Sequence, residues 1–443
     1  MKTTLHLTTL LLFSGAPLLS VKAQITATPL DLSAGEGRPH YISAPSHDVA
    51  YAGVSGGSFN SRTFCRTVDA GESWTRTLIP EPIDRGCMSV FALNDTVVWA
   101  SLSDGVGSNG GAIWRTDNGG TNWEQLTTTE FAGGFLNFTY FTTLDSGMAV
   151  GDPNSGYFEI YTTVDGGATW ARTPQADIPD PLAGEYAFAH DYSAIGQHIW
   201  FDTNKGRILM SDDLGLHWTL SPIPAGAPSS ANVSFADALH GASHHVLSYS
   251  AAYITDDGGL SWTPQSISPS LQVSYICAIP EVPGAFVFTA QGPTRVCATT
   301  DNFQSYTVLG TDPNYSPTTS FCMYDGSIGW LSTFQTYSDH AMYRIEDATT
   351  GMTGVDASNT SALRIFPNPA TAGAALVTVE MDAASHGTVR LTDMQGRLVR
   401  SLPLKDGGPK RSLILDLQGV PAGTYVLTFE TGALRTAQRL VVQ

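Results

Sequence analysis

Apolar and polar positions along the chain fall into short alternating segments separated by turn residues, and nowhere into a sustained helical period. Residues 318–323 and 328–333 are typical: each is rich in β-branched and aromatic side chains, and the two are separated by a polar turn. Charged helix formers are scarce, with Lys at 5 and Glu at 11 positions of 443, whereas Gly occupies 44 and Pro 25. The pattern predicts an all-β protein with many turns. After position 25 no apolar run approaches the ~18 residues that a membrane-spanning helix needs.

The tryptophans reveal an internal repeat. Thr67-Val68-Asp69-Ala70-Gly71-Glu72-Ser73-Trp74 recurs as Thr163-Val164-Asp165-Gly166-Gly167-Ala168-Thr169-Trp170 and as Thr255-Asp256-Asp257-Gly258-Gly259-Leu260-Ser261-Trp262. Three more copies carry lapses: 116–123 has Asn118 and Asn122 at the Asp and hydroxyl positions, 211–218 has His217 for the hydroxyl, and 299–306 has Phe303 for Gly and Tyr306 for Trp. The aromatic ends fall 44 to 49 residues apart, the period of a four-stranded blade stacked radially. Residues 24–350 then suit a seven-bladed β-propeller, alternatively a six-bladed one. The seventh blade has only three strands of its own, and residues 25–32, left over at the start, would supply its outer strand and hide its edge.

Each eight-residue unit, which we call a box, has the chemistry of a tight hairpin. Its Asp accepts backbone N–H groups across the turn, its Gly supplies a positive φ, and its Trp packs between sheets. The unit resembles the Asp-box (BNR) repeat of sialidases, sortilin-type receptors and propellers related to photosystem II assembly factors. That resemblance implies scaffold roles for Asp69, Asn118, Asp165, Asp213, Asp257 and Asp301, and for Trp74, Trp123, Trp170, Trp218 and Trp262.

With strands A to D running outwards from the axis, boxes join C to D and share a face with the A–B turns. The opposite face, where propellers usually carry their sites, holds D–A loops such as 80–86 and 174–185 and B–C loops such as 152–156 and 202–206. There Asp104, Asp152, Asp202 and His245 precede the following box Asp or Asn by 14, 13, 11 and 12 residues, which places them at equivalent strand ends of four adjacent blades. Such an arc suits a cation or a basic ligand. The competing reading is that each Asp caps its own turn, as Asp-Pro-Asn-Ser-Gly at 152–156 invites, and that His240, His244 and His245 are strand residues without the spacing of a zinc site. No metal and no cofactor are expected. No nucleophile elbow, phosphate loop or cysteine knuckle occurs in a fitting context, and no carboxylate pair is singled out for a retaining glycosidase.

Other features set the address. Lys2, an apolar stretch over 5–19 and Val21-Lys22-Ala23 read as a signal peptide over 1–23. Export brings five cysteines into an oxidising compartment, where short separations favour Cys65 with Cys87 and Cys297 with Cys277 or Cys322, against a reading of buried free thiols. Residues 24–350 hold 33 acids against 11 Lys/Arg, which makes nucleic acid a poor partner; residues 351–443 hold 7 against 9.

After a linker at 351–361, residues 362–443 form a second module that opens Leu363-Arg364-Ile365-Phe366-Pro367-Asn368-Pro369 and continues in alternating strands, a small Ig-like β-sandwich of about seven strands. The opening, the 393–399 hairpin, the Gly423-Thr424-Tyr425-Val426-Leu427 strand and the basic, apolar end closely resemble the type A C-terminal sorting domain of the type IX secretion system. Phe366 replaces the usual Tyr and Gln443 the usual basic end. The resemblance implies a Bacteroidota-type envelope, export through the inner membrane, and type IX passage to the outer surface or the medium. The expected function is a secreted or surface-displayed module binding a glycan, a surface protein or a cation on the face opposite the boxes. The alternative is a secreted glycoside hydrolase of sialidase-like or glucan-active type.

Overall fold

A computed structural model of the chain describes residues 24–30, 32, 37–55, 61–81, 84–104, 110–126, 130–222, 231–245, 251–267, 271–291, 294–312, 318–333, 342–348, 363–366, 374–380, 387–393, 397–404, 410–430 and 435–442. The expected signal peptide and linker lie outside these residues. The chain divides into two compact units, Met1–Met352 and Thr353–Gln443.

The first unit contains seven four-stranded antiparallel sheets. Blade 1 is β2 (Arg38–Ser43), β3 (Ala50–Ser55), β4 (Thr63–Thr67) and β5 (Thr75–Leu78); blade 2 is β6 (Gly86–Ala92), β7 (Val98–Ser103), β8 (Gly111–Thr116) and β9 (Glu124–Gln125). Blade 3 is β10 (Leu136–Phe141), β11 (Gly147–Asn154), β12 (Tyr157–Thr163) and β13 (Ala171–Arg172); blade 4 is β14 (Ala187–Ile195), β15 (His198–Thr203), β16 (Ile208–Ser211) and β17 (Thr219–Ser221). Blade 5 is β18 (Ala231–Phe235), β19 (Gly241–His245), β20 (Ala251–Thr255) and β21 (Thr263–Ser266); blade 6 is β22 (Gln272–Ala278), β23 (Phe286–Gln291), β24 (Arg295–Thr299) and β25 (Thr307–Thr311).

Blade 7 has β26 (Thr318–Met323), β27 (Ile328–Thr333) and β28 (Met342–Glu346), and its outer strand is β1 (Gln24–Ala27), in antiparallel register Gln24↔Glu346 to Ala27↔Tyr343. The leftover N-terminal segment thus completes the last blade, and the count is seven. Pairing removes the open edge that β28 would otherwise present.

Apolar layers fill the gaps between blades. Trp99 of β7 stacks on Phe141 of blade 3 at 3.9 Å, and Trp200 of β15 on Phe235 of blade 5 at 3.7 Å. Both indoles are buried, so each stack adds to the hydrophobic term. A second seam is polar: on the inner strands the hydroxyls of Ser43, Ser193 and Ser234 accept N–H groups of Ala92, Phe235 and Ala278 in the following blade, at 2.8 to 3.0 Å.

The expected disulfides do not form, and all five cysteines are free thiols. The reason is geometric, because strand neighbours face opposite sides of a sheet. Cys65 packs beside Trp330 in the layer between blades 7 and 1, whereas Cys87 lies between blades 1 and 2. Cys297 faces blade 5, while Cys277 packs towards blade 7 and Cys322 towards blade 1. Cys277 and Cys322 take the place of the seam serines, meeting the amides of Met323 and Ala44. Burial pushes these thiols up to about 12 and about 11, so they stay protonated and inert.

The second unit has a three-stranded sheet of β29 (Leu363–Phe366), β30 (Ala374–Glu380) and β33 (Lys410–Asp416), and a four-stranded sheet of β32 (Leu398–Leu404), β31 (Gly387–Asp393), β34 (Gly423–Glu430) and β35 (Arg435–Val442), in those orders. Leu415 and Leu417 from one side meet Val389, Leu391, Leu427 and Leu440 from the other in one core. The Tyr425 hydroxyl donates to the carbonyl of Pro421 at 2.7 Å, pinning the turn to the strand it starts, as a tyrosine corner does in other sandwiches. Arg400 of β32 reaches the carbonyls of Asp416 and Gln418 at 3.3 and 2.7 Å and ties the two sheets together.

Candidate functional site

The two faces of the propeller are built from different chemistry. In the boxes the first hydroxyl relays a bond: Thr67 donates to Asp69 Oδ1 at 2.8 Å and accepts the N–H of Gly71 at 2.8 Å. Asp69 then accepts the N–H of Ser73 at 2.9 Å and its hydroxyl at 2.5 Å. The same arrangement recurs around Asp165, Asp257 and Asp301, and in box four His217 Nδ1 replaces the hydroxyl at 2.6 Å from Asp213. Asn118 accepts from Thr116 at 3.0 Å. The hydrogen bonds from Ser73 and Thr169 hold Asp69 and Asp165 down to about 2.

Gly71 and Gly167 take φ of 86° and 93°; Phe303 adopts φ 64° at that place and packs its ring 5.0 Å from Phe286. Trp74, Trp123, Trp170, Trp218 and Trp262 each pack into a layer between adjacent blades.

Inner strands carry a bulge towards the opposite face. Register shifts single out His40, Met88, Asn137 and Ser274 as extra residues in β2, β6, β10 and β22. In β14 the irregularity is larger: Ala187 pairs with Thr203 and Tyr192 with Phe201, so residues 188–191 stand against Asp202 alone.

His190, at φ 58°, lies 2.8 Å from the Ser89 hydroxyl in blade 2 and 3.2 Å from the Ile42 carbonyl in blade 1. Neither blade adjoins blade 4, so this segment reaches across the ring's axis and forms a floor there among the described residues. The Ile42 carbonyl only accepts, which makes Nε2 the donor and leaves Nδ1 to accept from Ser89. Burial lowers His190 to about 4 and keeps it neutral. Its neighbour Asp191 accepts from Asn232 at 3.1 Å and is pushed up to about 7 by burial.

The arc read from sequence lies at the ends of β7, β11, β15 and β19. Asp104 and Asp202 are buried. Asp152 does not close its own turn: its Oδ1 accepts the side-chain amide of Asn137 at 2.8 Å and, across the blade boundary, the N–H of Ala187 at 3.1 Å. It therefore anchors the start of the axial segment. Burial pushes it up to about 6, with the two bonds opposing and the Glu159 charge adding. The side chain of His245 lies outside the described residues; the strand places it opposite Ala231.

Several residues of this face escaped the sequence reading. Arg207 grips Glu185 through two bonds of 2.8 and 2.5 Å, and Thr203 donates to the same carboxylate at 2.6 Å. Glu81 accepts from Trp114 at 3.0 Å with Arg85 at 3.4 Å. Glu159 is buried, and burial raises it despite Arg172 nearby. Two buried acceptors, Asn137 Oδ1 and Glu159 Oε2, have no hydrogen-bond partner. No sequence signal marks them, because residues 187–195 alternate like any strand and Glu159 sits in an ordinary strand pattern. Among the described residues no group of three or more His, Cys, Asp or Glu is placed to hold a metal ion, and no helix is long and apolar enough to cross a membrane.

Comparison with known proteins fits this division. Residues 364–443 match the secretion system C-terminal sorting domain. Among solved structures the chain is similar to "YCF48 bound to D1 peptide" (TM-score 0.52, 13% identity, covering 74% of this chain and 97% of that one). It is equally similar to "YCF48 from Cyanidioschyzon merolae" (0.53, 13%, 74% and 99%). No curated protein matches in sequence. The protein is a β-propeller fused to a type IX sorting domain, and that domain marks it for export to the cell surface or the extracellular space.

Proposed function

We propose that this exported propeller is a binding module whose site is the floored face opposite the boxes, and that its ligand brings hydrogen-bond donors or positive charge: a glycan, a protein segment or a cation. The observation that carries the reading is a buried acceptor without a partner, Asn137 Oδ1, whose side-chain amide donates to Asp152 where blade 3 meets blade 4. Buried polar atoms left unpaired cost free energy, and a donor-bearing ligand would remove that cost. YCF48, a propeller of the same fold, is recorded with a D1 peptide, which adds polypeptide segments to the ligands worth testing.

A hydrolase needs two carboxyls about 5 Å apart in one cleft for retention. Glu159 pairs with Gly151 and lies under Gly134 on the side of blade 2, whereas Asp152 reaches Ala187 of blade 4, so the sheet of blade 3 stands between them. This geometry favours binding over hydrolysis.

The test is a screen of the full chain against glycans and Lys/Arg-containing peptides, with a reducing-sugar readout, repeated for Asp152→Asn and Glu159→Gln. Binding weakened at least tenfold in Asp152→Asn, with the melting temperature not lowered, supports the reading. Sugar release abolished by both variants replaces it with the hydrolase.

A further inference from the structure

On the box face, large apolar side chains stand in solvent where the turns do not need them. Leu144 is 46% exposed, Val164 82%, Leu216 51%, Leu239 52% and Leu260 63%. They belong to the A–B turns and boxes of blades 3, 4 and 5, three neighbours. Within blade 3 the Gly166 N–H bonds to the Asp145 carbonyl at 2.8 Å, and within blade 5 the Gly258 N–H bonds to the Leu239 carbonyl at 2.9 Å, so turn and box are held side by side. Blade 4 is tied to box five by the Trp200 indole, which donates to the Gly258 carbonyl at 2.8 Å.

The box does not dictate these residues. Its second and sixth positions, where Val164, Leu216 and Leu260 stand, supply none of the side-chain bonds common to the boxes; in the other blades they are Val68, Glu72, Asp117, Thr121, Thr300 and Gln304. Scattered exposed apolar residues need no explanation, but a group on three adjacent blades of one face marks a contact surface.

Charge names the partner. The same six turns, residues 142–146, 163–170, 195–198, 211–218, 236–241 and 255–262, hold seven aspartates and no lysine or arginine. Their three histidines are engaged, His217 with Asp213 at 2.6 Å, His240 with Asp237 at 2.9 Å, and His198 stacked on Trp200. Arg115, which enters from blade 2, is paired to Asp117 and lies over Trp99. We infer that this arc is a docking surface for a polypeptide segment that is both basic and aliphatic, its apolar side chains meeting the leucines and its lysines or arginines meeting the surrounding aspartates. The site lies on the face opposite the one assigned above and stands independently of it.

The experiment uses the full chain and a fluorescently labelled amphipathic peptide of Lys and Leu, followed by anisotropy, with a Glu/Leu twin of the same length as control. Wild type should bind the Lys/Leu peptide and not the twin, with affinity falling as salt rises. Leu144→Ser/Leu216→Ser/Leu260→Ser should weaken binding at least tenfold, and Asp145→Asn/Asp212→Asn/Asp256→Asn should both weaken it and flatten the salt dependence. Neither set touches a box hydrogen bond, so the melting temperature should hold. Equal binding by the triple Ser variant overturns the inference, since acidity alone would then suffice. Concentration-dependent self-association that the Ser variant abolishes also overturns it, naming a second copy as the occupant.

Discussion

Asp165 on the box face and Asp152 on the opposite face are both carboxylates at the end of a strand in blade 3, yet they act in opposite ways. Asp165 is exposed, receives the N–H and hydroxyl of Thr169 and the hydroxyl of Thr163, and is held down to about 2. Asp152 is largely buried, receives two bonds on one oxygen, and is pushed up to about 6. In the first case the fold stabilises the charge; in the second the charge burdens the fold. A carboxylate that stabilises its own turn needs no further reason to be there, whereas one that costs stability points to function.

The largest effect should come from opening the ring that supports both faces. Deleting residues 24–32 removes β1, exposes the edge of β28, and should lower the melting temperature by about ten degrees or more. A truncated propeller as stable as the parent in a thermal melt would mean that the ring closes without this strand.

Next comes Trp218→Ala. The indole is buried between blades and donates to the Gly215 carbonyl at 3.0 Å, so truncation should cost about 3–5 kcal/mol in denaturant melts and leave ligand binding by the folded fraction unchanged.

Acid should separate the axis from the boxes. His190 titrates near 6.5 when unfolded and near 4 when folded. Above pH 6.5 both states are neutral. Between 6.5 and 4 only the unfolded chain takes up the proton, so stability should fall by about 3 kcal/mol across that window from this group. The box aspartates remain ionised throughout it. His190→Gln should flatten the profile measured by urea melts from pH 7 to 4, and an unchanged slope would remove His190 as the cause.

Asp152→Asn sharpens the contrast most directly. Below pH 3.8 the carboxyl is protonated in both states; between 3.8 and 6 the unfolded chain ionises first, and the native state loses stability as pH rises. The variant escapes that loss and should be more stable at pH 7, by about 3 kcal/mol at most, with no gain near pH 3.5. Asp165→Ala should do the reverse: lower stability at pH 7, with the deficit shrinking as pH falls towards 2. If Asp152→Asn destabilises at pH 7, the contrast between the two faces fails.

The repeat made most of the propeller legible, because each box states its turn chemistry in eight adjacent residues and Trp fixes the period. Even the outer strand of blade 7 could be read, as residues 25–32 had no other place to pair. The axial segment could not. Phe188, His190 and Tyr192 alternate as a regular strand would, and His190 takes a positive φ without the Gly or Asn that usually announces one. The cysteines misled for a related reason: separation along the chain says nothing about which side of a sheet a thiol faces. Asp152 was picked out for its place in the arc, but its tie to the next blade depends on a contact 35 residues away.

The closing strand also sets an order of events. Ile25 and Ile345 meet across some 320 residues of intervening chain. Joining the ends of so long a loop costs about 5 kcal/mol in chain entropy, and nothing local repays it before the blades between have formed. Blades held together by neighbouring hairpins can assemble early and one after another, but the ring shuts last. Until it does, blade 7 presents an unsatisfied strand edge, so the interval before closure is when this protein is most open to pairing with another chain.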